Sequence, residues 1–168
     1  SARLACRGSR TSASQARSFF KSSQPTANGL TKAQILDNMR GLCVNVLEPI
    51  KRRFPQMTLT SVFRIGPQEA QHGMGLAADM QFGGGSAAAA LYDAALWIRD
   101  NVAFDQLLLE YGHFGGTYQG WVHCSFNPAG NRPPEGKGGY PKVATFMDHS
   151  IARGPDGQQK LYLCDLSQ

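Results

Sequence analysis

The sequence predicts an α+β fold, in which a mainly antiparallel sheet packs against two principal helices. A long amphipathic stripe occupies residues 31–53, and a second helical segment follows at 86–101. Between and after these helices lie short β-prone segments that are separated by glycine-rich stretches. Because the strands cluster instead of alternating regularly with helices, an antiparallel sheet is favoured over a parallel one.

The first helix has a clear beginning and end in the sequence. Thr31 and Gln34 have the spacing of a capping box, in which each side chain bonds the backbone of the other residue. Apolar residues then recur at helical spacing, and Pro55 ends the pattern. The stripe consists of Ile35, Met39, Leu42, Val46 and Ile50.

The remaining segments are predicted from alternation and from turn residues. Residues 57–64 and 76–82 are expected to be strands, with a loop through Gly75 between them. Ser86 caps the second helix, which runs to about residue 101.

Two hairpins complete the predicted sheet. Residues 104–111 and 121–126 form the first, across a glycine-rich turn at 112–120. After a loop at 127–141, residues 142–151 and 160–166 are expected to form the second.

The basic charge of the chain is concentrated at its N-terminal end. Residues 1–36 carry six basic residues and no acidic one, whereas the rest of the chain has a net charge of −1. We therefore predict a basic arm or linker at 1–30 and a folded domain at 31–168. The arm lacks the interleaved aromatic residues that stack on bases, so a solvated tail or linker, or a segment that packs on a partner, is favoured over an arm that binds nucleic acid or an acidic surface.

Composition excludes several other classes of protein. The four cysteines, Cys6, Cys43, Cys124 and Cys164, have no CxxC spacing, which excludes a cysteine zinc finger. No apolar run approaches the ~18–20 residues that span a membrane. No secretory signal is visible, and the chain is expected to be a processed product or a piece of a longer protein.

The strongest chemical signal is the segment from His72 to Asp79. A histidine leaves a glycine-containing loop, and a short apolar strand then carries an aspartate with a small residue, Ala77, on the same face. An unpaired carboxylate in such a stretch would be costly, so Asp79 needs a partner, and a cation is a suitable one. His123 projects from a second strand, Trp121 to Phe126. Two imidazoles and one carboxylate form a typical catalytic set for Zn²⁺.

Four further residues are candidates for catalysis or substrate binding. Glu110 closes the apolar run 107–109 and is the predicted general base, with His113 as its rival for a catalytic or substrate role. Arg64 ends a predicted strand and would hold a substrate carboxylate or the oxyanion. Trp121 is expected in the core or as a wall of the substrate pocket.

The pattern His-x-x-Gly-x-Ala-x-Asp from His72 to Asp79, followed by Trp121-Val122-His123, resembles one zinc peptidase family. This family contains the D-alanyl-D-alanine carboxypeptidases and the L-alanyl-D-glutamate endopeptidases, and its superfamily includes the hedgehog signalling domain. The resemblance covers roughly residues 31–126. It departs from many members at Ala70, where they have serine, and at Gly120, where many enzymes place the glutamate.

This resemblance implies a hedgehog/DD-peptidase-like fold and zinc on His72, Asp79 and His123. It also implies a glutamate base, an arginine near the substrate, and hydrolysis of amide bonds in peptidoglycan stem peptides. Similar members are phage endolysins and tail-associated lysins, so we expect a cell-wall lysin in a virion or host cell, acting on the bacterial wall. The alternative is a weak or inactive structural module of a phage tail or baseplate, contacting neighbouring subunits through residues 1–30.

Overall fold

In a computed structural model of the protein, residues 28–64, 70–82, 88–114, 117–138, 141–147 and 150–151 are described. Most of the predicted arm, Cys6, Cys164 and the predicted strand 160–166 lie outside these ranges. Within the described residues, no helix has the length and apolar character needed to cross a membrane.

The described elements are four helices, one π-helical segment and six strands. The helices are α1 (Lys32–Leu42), α2 (Glu48–Arg53), α3 (Ala70–Gly73) and α4 (Ala88–Asn101), and the π-helical segment is Cys43–Leu47. The strands are β1 (Thr58–Ser61), β2 (Ala77–Gln81), β3 (Leu107–Phe114), β4 (Thr117–Ser125), β5 (Val143–Met147) and β6 (Ser150–Ile151).

The capping box at the start of α1 is confirmed. The Gln34 backbone N–H donates to the Thr31 hydroxyl, and the Thr31 N–H donates to the Gln34 side-chain oxygen at 2.8 Å. The predicted stripe packs inward, with Met39 half-buried against the core. Its fully buried members are Ile35, Leu42, Val46 and Ile50.

The helical run from 32 to 53 is interrupted by the π-helical segment Cys43–Leu47. The Glu48 N–H donates to the Cys43 carbonyl, five residues back, and Pro49 follows immediately. Proline cannot donate a helical hydrogen bond and its ring crowds the preceding turn. The wider turn therefore lies where the sequence is least compatible with a regular α-helix.

The sheet is mixed and mostly antiparallel, with five strands and a two-residue sixth in the order β1-β2-β4-β3-β5-β6. Every pairing is antiparallel except β3 with β5. The α+β class is thus confirmed. One face of the sheet packs on the helices and buries Met80, Leu107, Leu109 and Val122.

The alternation of strand side chains places a polar set on the opposite face. Asp79 of β2 lies directly across from His123 of β4, and Glu110 of β3 lies across from Trp121 of β4. A bulge between Leu59 and Ser61 shifts β1 by one residue, so Ser61 becomes the partner of Asp79.

Several predicted boundaries were wrong. The hairpin turn is not at 112–120, because β3 continues to Phe114 and β4 begins at Thr117. Gly112 pairs with Gln119 and Gly120 pairs with Tyr111 in the β3–β4 ladder, so these glycines do not mark a turn. The predicted strand 142–151 is itself a hairpin of β5 and β6.

The region before β2 also differs from its prediction. β1 is shorter than the predicted 57–64, because the chain leaves the sheet after the bulge. Part of the predicted loop before Gly75 is the short helix α3.

Gly75 joins α3 to β2 in a conformation that requires glycine. Its φ is +72°, and a Cβ there would lie 2.7 Å from Met39 Cγ and 2.8 Å from the Ile35 carbonyl oxygen. This close approach seats the segment that carries His72 against α1.

We predict that Gly75→Ala lowers the free energy of unfolding by roughly 2–4 kcal/mol, from left-handed strain and overpacking together. Gly29→Ala is the matched control, since Gly29 has φ +75° and an added Cβ meets nothing within 4 Å. Urea unfolding of both variants measures the difference. Equal losses in the two variants would contradict the proposed close packing.

Candidate metal centre

Three buried side chains meet at the polar face of the sheet. His72 Nε2 lies 3.3 Å from His123 Nδ1 and 3.2 Å from Asp79 Oδ1, and His123 Nδ1 lies 3.0 Å from Asp79 Oδ1. All three residues are buried. The structure therefore brings together the three predicted ligands, and this group can hold a metal ion.

Each ligand comes from a different element. His72 lies in α3, Asp79 in β2 and His123 in β4. The pairing of β2 with β4 sets Asp79 opposite His123, because these residues are register partners. The turn at Gly75 brings α3 back over the end of the sheet, with the Gly75 N–H bonded to the His72 carbonyl.

The outward-facing nitrogen of each imidazole has its own hydrogen-bond acceptor. His72 Nδ1 bonds the Val62 backbone carbonyl, which can only accept, so this nitrogen donates. His123 Nε2 donates to the side-chain oxygen of Gln71 at 2.9 Å. In the neutral rings, the remaining nitrogens, His72 Nε2 and His123 Nδ1, then carry lone pairs.

This arrangement concentrates electron pairs in one place. The two free nitrogens and Asp79 Oδ1 face one another across 3.0–3.3 Å, and none of the three carries a proton when both rings are neutral. A proton or a cation within the triangle would relieve the repulsion between these electron pairs. The donor set therefore fits a bound cation, with each histidine held by an acceptor behind it, as metal-binding histidines usually are.

The second oxygen of Asp79 faces Arg64. Arg64 Nη2 lies 3.2 Å from Asp79 Oδ2, and the arginine side chain is 39% exposed. Although burial alone would raise the pKa of Asp79, the hydrogen bonds and positive charge of the protonated His123 and His72 rings hold it well below its ordinary value. The carboxylate is thus ionised over the neutral range, as a metal ligand must be.

Glu110 lies beside the triangle on the neighbouring strand β3. Burial raises the pKa of Glu110 above its ordinary value, while the His123 charge opposes the rise and the Asp79 charge adds to it. Trp121, the register partner of Glu110 on β4, has an indole N–H donor that also opposes this rise in pKa. The structure thus brings the predicted base within electrostatic range of the metal ligands.

The predicted rival His113 lies three residues further along β3, where its backbone pairs with Tyr118. Its side chain is outside the described part of the chain. Its catalytic or substrate role remains a prediction.

Sequence reasoning missed the contacts behind the ligands. Gln71 was treated as part of a loop, and Asp105 as part of a strand, but both lie in a hydrogen-bonded chain that ends at His123. No local pattern marks them, since Gln71 and His123 are 52 residues apart in the chain.

Comparisons with protein-family models, curated proteins and solved structures found no match to this chain. The resemblance of the His72 to Asp79 segment therefore stays an expectation about family and function.

The lowered pKa of Asp79 predicts how stability depends on pH in the metal-free protein. An unfolded aspartate has a pKa of ~3.9, so the buried carboxylate contributes stability above that pH. This contribution is lost as the pH falls through the lower folded pKa. We expect the free energy of unfolding of the wild type, relative to Asp79→Asn, to decrease from about pH 4 downward.

Urea unfolding at several pH values between roughly 6 and 2 checks this expectation. Asp93→Asn is the control, because Asp93 is exposed on α4. A wild-type advantage that stays constant over the whole pH range would contradict the lowered pKa.

Proposed function

We propose that this chain is a zinc peptidase of hedgehog/DD-peptidase-like fold that hydrolyses amide bonds in peptidoglycan stem peptides. The observation that carries the proposal is the triangle of His72, Asp79 and His123, with Glu110 on the same face of the sheet. A metal site alone would suit many functions. A metal site with a half-buried carboxylate beside it is the arrangement that amide hydrolysis needs.

Zinc is an ion that this donor set fits. A tetrahedral zinc ion with ligands at about 2.0–2.2 Å separates neighbouring ligand atoms by about 3.3–3.5 Å. The three ligand atoms here are 3.0–3.3 Å apart, so they occupy one face of such a tetrahedron after a small expansion. Among the described residues, three side chains are placed to hold the ion, which would leave a fourth position open, as is typical of catalytic zinc sites.

When bound, zinc supplies Lewis-acid chemistry, because it polarises a carbonyl and lowers the pKa of water. Side chains of the protein then transfer the proton. Glu110 accepts a proton from the attacking water and delivers it to the leaving amine. Its raised pKa suits both steps, because a carboxylate with a higher pKa is a stronger base toward the attacking water, and the resulting carboxylic acid can still protonate the leaving amine.

Trp121 and Arg64 support this chemistry from either side. Trp121 lies directly across from Glu110 in the sheet, where its indole would form a wall of the substrate site. Arg64 holds the outer oxygen of Asp79. The exposed part of its side chain steadies the negative charge of a substrate carboxylate or of the oxyanion.

The substrate class is supported by the likeness of the His72 to Asp79 segment and of Trp121-Val122-His123 to wall peptidases. On this proposal the protein is a phage-associated lysin that acts on the bacterial wall. Purified sacculi with D,D-linked and L,D-linked stem peptides are both suitable test substrates.

We predict that the purified wild-type protein binds about one zinc per chain, as a single three-ligand site requires. Asp79→Ala should weaken zinc binding by more than about 100-fold, because even the loss of an outer-shell contact typically costs 10–100-fold. Competition with a chromophoric chelator measures the affinity, and Asp93→Ala is the control for an exposed aspartate on α4. Wild-type zinc affinity in Asp79→Ala would overturn the ligand set.

We predict that Glu110→Gln lowers peptide release from sacculi by about 10²–10⁴-fold, the usual loss when a general base is removed, while zinc content stays at the wild-type level. Release of stem-peptide fragments is followed by chromatography. Glu48→Gln is the matched control, because Glu48 lies on α2 in a loose ion pair with Arg52 at 4.0 Å. Unchanged release in Glu110→Gln would remove Glu110 from the mechanism. Zinc binding without release from any wall type would favour the structural module of a phage tail.

A further inference from the structure

We propose that Gln71 and Asp105 are positioning residues for His123. Their role rests on the proposed metal centre. They hold His123 in the tautomer whose unprotonated Nδ1 faces the metal. The hydrogen-bonded chain continues to Arg132, in the loop that follows β4. The loop thereby takes part in forming the site, although it supplies no ligand.

The first step is the orientation of the Gln71 amide. Its nitrogen lies 3.2 Å from Asp105 Oδ2 and 3.2 Å from the Ser125 hydroxyl, and its oxygen lies 2.9 Å from His123 Nε2. A carboxylate can only accept hydrogen bonds, so the amide nitrogen must face Asp105. The amide oxygen then faces His123 and requires a donor there. His123 therefore carries its proton on Nε2.

The second step is the fixation of Asp105, which is buried. The Arg132 backbone N–H donates to Asp105 Oδ1 at 2.7 Å, and its guanidinium donates to Oδ2 at 2.8 Å and 3.2 Å. Burial alone would raise the pKa of Asp105, but these Arg132 contacts hold it below its ordinary value. The carboxylate is thus ionised and held at both oxygens, and it offers Gln71 only an acceptor.

The third step is the coupling of this chain to the sheet. The Asp105 N–H donates to the Ser125 carbonyl at 2.7 Å, and the Ser125 hydroxyl accepts from the Gln106 N–H at 3.0 Å. Ser125 follows His123 by two residues on β4, so it shares the same face of the strand. The backbone that carries His123 therefore also fixes the groups that orient its ring.

The position of this proton decides which nitrogen of His123 can bind the metal. With the proton on Nε2, Nδ1 offers a lone pair to the triangle, 3.0 Å from Asp79 Oδ1. The opposite tautomer would place an N–H in the metal position, bonded to Asp79, and would block the site. Gln71 also precedes His72 in α3, so one short helix provides both a ligand and the orienting partner of another ligand.

The first test is nitrogen-15 NMR of the imidazole rings in the metal-free protein, at alkaline pH where imidazoles are neutral. We expect His123 in the wild type to carry its proton on Nε2. In Gln71→Leu, Asp79 becomes the remaining acceptor and the proton should move to Nδ1. Gln106→Leu is the matched control, because the Gln106 amide bonds the Pro141 carbonyl and does not contact His123.

The second test is zinc affinity by chelator competition in the same proteins. Gln71→Leu should bind zinc about 10–100-fold more weakly, and Asp105→Asn should shift affinity in the same direction. Gln106→Leu should bind like the wild type. A merely structural role for Gln71 would lower thermal stability without moving the proton on His123.

The two tests separate this inference from the proposed function. A proton on Nδ1 of His123 in the wild type, or an unchanged Nε2 proton in Gln71→Leu, overturns the positioning role whether or not zinc binds. Failure of the wild type to bind zinc overturns the metal centre, whereas the NMR result still decides the orientation of His123.

Discussion

The burial of the Asp79 carboxylate between two imidazoles is the constraint on which the rest of the site depends. An ionised carboxylate inside a protein is costly unless opposite charge and hydrogen bonds compensate it. Here the compensation comes from Arg64 and, when their rings are protonated, from His72 and His123, which lie 3.0–3.2 Å from its two oxygens. Because neutral imidazoles would point lone pairs at this carboxylate, a cation satisfies all three ligands together. A metal ion bound by this group would therefore stabilise the buried charge.

The two faces of the sheet have different roles: one packs in the core, and the other carries the candidate site. Apolar residues of β2, β3 and β4 point into a core that is closed by the helices, and the alternate residues carry the polar set. The long pairing of β3 with β4 makes the positions of Glu110 and His123 depend on backbone hydrogen bonds instead of flexible loops. Sites held on rigid elements keep the geometry that metal binding and proton transfer need. The contacts around Asp105 extend this rigidity to the loop after β4.

Much of this organisation could be predicted from the sequence, and the reasons are local. The capping box at Thr31 and the stripe that follows it define the first helix because helix signals act over three or four residues. The apolar run ending in Asp79 and the strand around His123 identified two ligands, because a charged or titratable side chain is conspicuous in a buried strand. The extent of the hairpin was mistaken, since Gly112 and Gly120 suggest a turn until their pairing partners are known. The chain from Arg132 through Asp105 and Gln71 to His123 could not be predicted, because its contacts join residues 27, 34 and 52 positions apart. The peptidoglycan substrate and the roles of Glu110 and Arg64 stay predictions.

The most direct test of the central claim is a crystal structure of the zinc-loaded protein, with anomalous scattering measured at the zinc edge. We expect one anomalous peak at about 2.0–2.2 Å from His72 Nε2, His123 Nδ1 and Asp79 Oδ1. His72 Nδ1 and His123 Nε2 should keep their hydrogen bonds to Val62 and Gln71. A peak bound to other residues, or bound through His123 Nε2, would show that these three atoms do not form the metal site.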